Sequence, residues 1–114
     1  MKKLVSVIIA LFLFAISALT AHPASNVSAV FDKDEGLLTV SFKHQVKDNA
    51  DHFISEVKVL KNKKEIIIQK ISFQDTNDGG SVVYKINDAK AKDKLEIVTI
   101  CNKTGKKSYS LDIK

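Results

Sequence analysis

His22, His44, His52 and Cys101 are all the histidines and the only cysteine of a 114-residue sequence. Neutral imidazoles and a thiolate are the donors that transition metals take from proteins, so these four residues set the first question. Read singly, each has a plainer role. His44 shares the alternating face of Leu38, Val40 and Phe42, which aims its ring at a core. His52 shares a face with Ile54, Glu56 and Lys58 and reads as exposed. His22 alone is a frayed terminus. Cys101 closes the run Leu95 to Ile100 and enters a turn, where a cysteine usually serves as a small buried hydrophobe. A lone thiol cannot make an internal disulfide, so buried filler, intermolecular bridge and metal ligand all stay open.

Other chemistry is poorly supplied. Nucleophilic catalysis through Cys101 needs an activating histidine in a recognisable local pattern, and none surrounds it. The carboxylates are scattered through turns and form no catalytic pair.

The elements that must position the four residues are strands. Apolar residues alternate with polar ones at Val27–Phe31, Leu38–Val46, Phe53–Val59 (through Ser55), Val82–Ile86, Leu95–Ile97 and Tyr109–Ile113. Short β-branched or aromatic runs lie at Ile66–Ile68 and Ile71–Phe73. This period of two puts one face of each strand in a core. Asp32–Gly36, Lys61–Lys64, Asn77–Gly80, Asn87–Asp93 and Asn102–Gly105 supply turn residues between the runs. No segment carries a 3.6-residue apolar period. About seven short strands at this spacing predict an all-β fold, an antiparallel immunoglobulin-like β-sandwich.

The N-terminus predicts export. Lys2 and Lys3 precede an apolar stretch from Leu4 to Leu19, and Ala21 stands before His22-Pro23. A positive start, a short apolar centre and a small exit residue mark a secretory signal peptide over 1–21, with an uncleaved anchor as the competing reading. No second apolar segment of that length follows, so no membrane span is expected after signal removal. Cleavage after Ala21 makes His22 the mature N-terminus; cleavage after Ala24 removes it. The remaining 22–114 suffices for one domain, periplasmic or secreted. It holds 16 lysines against 13 carboxylates, a balance too weak and too evenly interleaved to argue for nucleic acid, so no nucleic-acid partner is expected.

Three segments then fall into one order: His22-Pro23, His44-Gln45-Val46 with Asp51-His52-Phe53-Ile54-Ser55-Glu56-Val57, and Cys101-Asn102-Lys103-Thr104-Gly105. In these residues, and across nearly the whole mature domain, the chain resembles the iron-binding domain of superoxide reductases (desulfoferrodoxins). The resemblance implies non-haem iron held by equatorial histidines and an axial thiolate, with one position open to superoxide. By it, His22, His44 and His52 are equatorial ligands and Cys101 is the axial one. Thr104 stands where that family has a further histidine, Gln45 where it has a proline and Phe53 where it has a tyrosine. The implied activity is a superoxide-reductase-like oxidoreductase, meeting superoxide or a small redox partner. Two other readings stay open. One is a copper or zinc carrier in which the α-amino group of a mature His22 joins its imidazole as a chelate. The other is a non-catalytic binding module whose metal site has decayed.

Overall fold

The structure, a computed structural model, describes residues 22–114. The predicted signal segment 1–21 lies outside the described residues. Seven antiparallel strands follow one another: β1 (Asn26–Asp32), β2 (Leu37–Lys43), β3 (Ile54–Lys61), β4 (Lys64–Lys70), β5 (Gly79–Lys85), β6 (Lys94–Cys101) and β7 (Lys106–Asp112). They form two sheets, ordered β1-β2-β5 and β4-β3-β6-β7. No helix occurs among the described residues.

Local chemistry sets the hairpins. At the β1–β2 turn, Asp32 Oδ1 accepts the N–H groups of Asp34 and Glu35, at 3.0 and 3.2 Å. The β3–β4 turn is the pair Asn62-Lys63 with φ of 52° and 71°. Two consecutive positive φ values give the primed turn whose twist suits a tight hairpin.

The sheets face each other over one core, as in a sandwich. Val27, Ala29, Leu38, Val40 and Phe42 come from one sheet, and Ile54, Val57, Val59, Leu95, Ile97 and Cys101 from the other. Burial on β2 alternates as the sequence predicts. Tyr84 on β5 donates its hydroxyl to Gln69 Oε1 on β4 at 2.6 Å, linking the sheets along one side. Its half-buried phenol is pushed up to about 12 by desolvation of the charged form.

Three expectations need correcting. Strict alternation places Phe53 and Ser55 inward, but both are only half-buried, while Ile54 and Val57 are fully buried. The cause is an irregularity in the β3–β6 register between Ile54 and Glu56, where an extra residue reverses the facing of the strand. Ile71–Phe73 is not a strand, because pairing with β3 stops at Lys70 and the chain then crosses between sheets. Val46 likewise lies beyond β2, which ends at Lys43.

The registers decide where the site can be. Asn26 pairs with Lys43, Lys43 with Gly79, and Ile54 with Cys101. The start of β1, the end of β2, the start of β3, the start of β5 and the end of β6 therefore share one pole. Of the three connections there, 44–53 and 71–78 cross between the sheets and 102–105 joins β6 to β7. His22, His44, His52 and Cys101 occupy that pole.

Candidate metal centre

Each of the four residues is held by a separate device. His22 sits on a short N-terminal strap. The Ser25 N–H bonds to Lys43 O at 2.8 Å, Ala24 is buried, and His22 Nδ1 lies 2.9 Å from Pro23 O. Pro23 rests directly on Gly105: a Cβ built at Gly105 would lie 2.8 Å from Pro23 Cδ. With φ at +87°, Gly105 is needed both for its backbone conformation and for this close approach. His22 is therefore an anchored residue and not a frayed end.

His44 follows β2 and is 0% exposed, so its ring lies inward as alternation predicts. Its Nδ1 lies 2.8 Å from Gln74 Oε1, and its Nε2 lies 3.1 Å from the His22 carbonyl oxygen.

His52 is presented by the turn beginning at Asp48, whose carbonyl accepts the N–H groups of Asp51 and His52. Its ring is half-buried, which corrects the exposed placement drawn from its neighbours. The strand irregularity just after it turns the ring towards the end of β6, where His52 Nε2 meets Cys101 Sγ at 3.2 Å. Asn102 seals this junction. Its Oδ1 accepts the Phe53 N–H, its Nδ2 donates to Asp51 O, and its own N–H donates to Phe53 O. The residues either side of His52 are thus stitched to the residue after Cys101.

Cys101 is buried and free. Its N–H donates to Gly105 O at 3.0 Å, and its sulfur accepts the Lys103 N–H at 3.4 Å.

The three imidazoles come together. Their ring centroids are 5.0 Å apart for His22 and His44, 5.1 Å for His22 and His52, and 4.8 Å for His44 and His52. One ring nitrogen from each lies within 4.8 Å of the other two, close enough for one metal ion. That grouping contains the three histidines; Cys101 adjoins it through His52. An open depression of about 820 Å³ faces the cluster, with His22, Gln45, Lys47, Asp51, His52 and Lys103 in its wall. Thr104, at the position of the resembled family's further histidine, is exposed in the 102–105 turn.

Four positioning features are silent in the sequence pattern. Gln74 is 1% exposed and uses its whole amide, yet it lies in a loop with no periodicity to mark it. The Asp48 turn, the Asn102 seal and the Pro23–Gly105 contact read in sequence only as turn chemistry. Gln74, the Asn102 seal and the Pro23–Gly105 contact depend on chain segments that meet after folding, whereas the Asp48 turn is local.

His52 is held below its ordinary value of 6.5, first by desolvation and then by the positive forms of His44, His22 and Lys103, with Asp51 opposing. The folded state therefore binds fewer protons here than the unfolded chain just below pH 6.5. This contribution to stability is complete above 6.5 and falls as pH drops from 6.5 towards the lower folded value. Proton NMR titration of the metal-free protein is expected to place the His52 midpoint below 6.5; a midpoint at or above 6.5 contradicts this account of the site.

No protein-family model matches the chain, and neither a curated protein nor a solved structure matches it.

Proposed function

We propose that His22, His44, His52 and Cys101 hold one iron ion, and that the protein is an exported, divergent relative of the superoxide reductases. The carrying observation is the convergence of three imidazoles, one of them touching a buried thiol, at one pole of a two-sheet fold. The orders β1-β2-β5 and β3-β6-β7 correspond to the A-B-E and C-F-G strands of an immunoglobulin-like sandwich and support that reading, with β4 paired to β3 instead of joining the first sheet as in constant-type domains. Lys2-Lys3, the apolar run to Leu19 and Ala21 support a signal peptide over 1–21 and a periplasmic or secreted location.

The donor set fits the metal. Imidazole and thiolate together suit iron, zinc and copper. His52 Nε2 and Cys101 Sγ stand 3.2 Å apart in hydrogen-bond contact, so both donors are near enough to reach one ion, and the resemblance to the superoxide reductases favours iron among these metals.

A ferrous ion held by His22, His44, His52 and Cys101 would supply the one electron that, with two solvent protons, converts superoxide to hydrogen peroxide, and Cys101 would be its electron-rich thiolate donor. The wall of the depression carries Lys47 and Lys103 together with Asp48, Asp51 and Asp78, and Asp51 pairs with the Lys103 ammonium at 3.7 Å, so the lining presents no net positive charge to an anion. The Lys103 main-chain N–H donates to Cys101 Sγ at 3.4 Å and helps to hold the sulfur in place.

A copper carrier is the second reading. Three clustered imidazoles also suit copper, and an α-amine freed by cleavage after Ala21 would strengthen nitrogen coordination without using Cys101.

Residues 22–114 with a native N-terminus, loaded with ferrous iron without oxygen and then oxidised, test the choice. The expected result is a visible thiolate-to-ferric charge-transfer band, lost in Cys101→Ser, with superoxide consumed by the reduced form. Tight cupric binding that needs the free amine and ignores Cys101 would replace iron with copper. Retention of no metal would leave a non-catalytic module.

A further inference from the structure

His44 stands between two oxygens that can only accept hydrogen bonds. Gln74 Oε1 lies 2.8 Å from Nδ1, and the main-chain carbonyl of His22 lies 3.1 Å from Nε2. A neutral imidazole carries one proton, so only one of these contacts is a hydrogen bond. The nitrogen at the other contact keeps a lone pair. Nε2 can ligate a metal only when the proton is on Nδ1.

Which way the proton goes depends on which end of the Gln74 amide faces the ring. Main-chain groups settle that. Gln74 Nε2 donates to His44 O at 2.8 Å and to Thr76 O at 2.9 Å, while Gln74 Oε1 accepts the Ile54 N–H at 3.2 Å. Turning the amide over would set its NH₂ against the Ile54 N–H and its oxygen against two carbonyls. Three backbone partners therefore fix the oxygen towards His44.

We propose that Gln74 is a positioning residue that selects the metal-binding tautomer of His44. Its Oε1 accepts a hydrogen bond from Nδ1–H, so Nε2 keeps its lone pair beside the rings of His22 and His52. The His22 carbonyl is the built-in competitor. Without Gln74 Oε1, the proton moves to Nε2, donates to His22 O, and blocks the ring as a ligand. Metal-binding histidines generally need such a partner on the second nitrogen. This buried side chain supplies it from a third loop, and through the Ile54 N–H it also ties the ring to the start of β3. The metal consequence rests on the reading in the preceding subsection, whereas the tautomer is measurable without any metal.

The experiment is two-bond ¹H–¹⁵N NMR on residues 22–114 labelled with ¹⁵N-histidine, metal-free, about two pH units above 6.5 so that the rings are neutral. The expected result is an Nδ1–H tautomer for His44 in the wild type and an Nε2–H tautomer in Gln74→Met. Zinc serves as a diamagnetic probe: its affinity should fall about 10–100-fold in Gln74→Met. An Nε2–H tautomer in the wild type overturns the proposal, as does Gln74→Met with Nδ1–H and unchanged zinc affinity. Should Gln74→Met fail to fold, the wild-type tautomer still decides. A wild type that shows Nδ1–H yet binds neither zinc nor iron upholds the tautomer assignment and defeats the metal reading instead.

Discussion

Replacing His44 with alanine is expected to abolish stoichiometric metal binding and to lower the unfolding free energy by about 2–4 kcal/mol. Both losses follow from its place. The ring is fully buried between the end of β2 and the 71–78 connection, so its removal leaves a cavity and takes one partner from Gln74 Oε1. It is also the ring whose centroid lies 5.0 Å from His22 and 4.8 Å from His52, so its loss splits the cluster. Metal affinity should drop by more than about 100-fold, the upper range seen when only a ligand's supporting partner is lost. His52→Ala makes the contrast: its ring is half-buried, so binding should be lost with a much smaller loss of stability. Denaturant melts and metal titrations on the two variants check this together. A His44→Ala protein with wild-type affinity would show that the three rings do not act on one ion.

Gly105→Ala is expected to damage the site from a distance. The new methyl would lie 2.8 Å from Pro23 Cδ, on a residue whose φ of +87° already disfavours a side chain. Backbone strain of about 1–2 kcal/mol follows. Relief requires Pro23 to move, and Pro23 carries the strap that ends in His22. Metal affinity should therefore fall about 10-fold or more, as when a ligand loses its support. Gly36→Ala is the control. Its φ is also positive, at +70°, but its nearest contact is Ile86 O at 3.3 Å, at the opposite pole. That variant should lose stability while its folded molecules bind metal normally. Equal affinity loss in both would mean that general loosening, and not displacement of His22, is responsible.

What was legible in the sequence was whatever depends on local period and turn chemistry. β2 reads correctly because Leu38, Val40 and Phe42 alternate without interruption, and the inward aim of His44 follows from them. The turns at Asp32–Gly36 and Asn102–Gly105 fall where their residue types put them. The same rule failed at Phe53–Val57, since one extra residue in the pairing with β6 exchanges the two faces of the strand. That failure concealed how His52 reaches Cys101 across a separation of 49 residues. Gln74 was hidden for a different reason. Its role comes from four hydrogen bonds to partners on β3 and two connections, and no period or motif encodes a meeting of that kind.

X-ray absorption at the iron edge of the ferrous-loaded 22–114 protein reads the ligand set itself. One iron per chain is expected, with a single sulfur neighbour at about 2.3–2.4 Å and a shell of imidazole nitrogens at about 2.1 Å. Iron that binds with nitrogen and oxygen neighbours alone, or that fails to bind in equal number with the chain, would contradict the proposed ligand set.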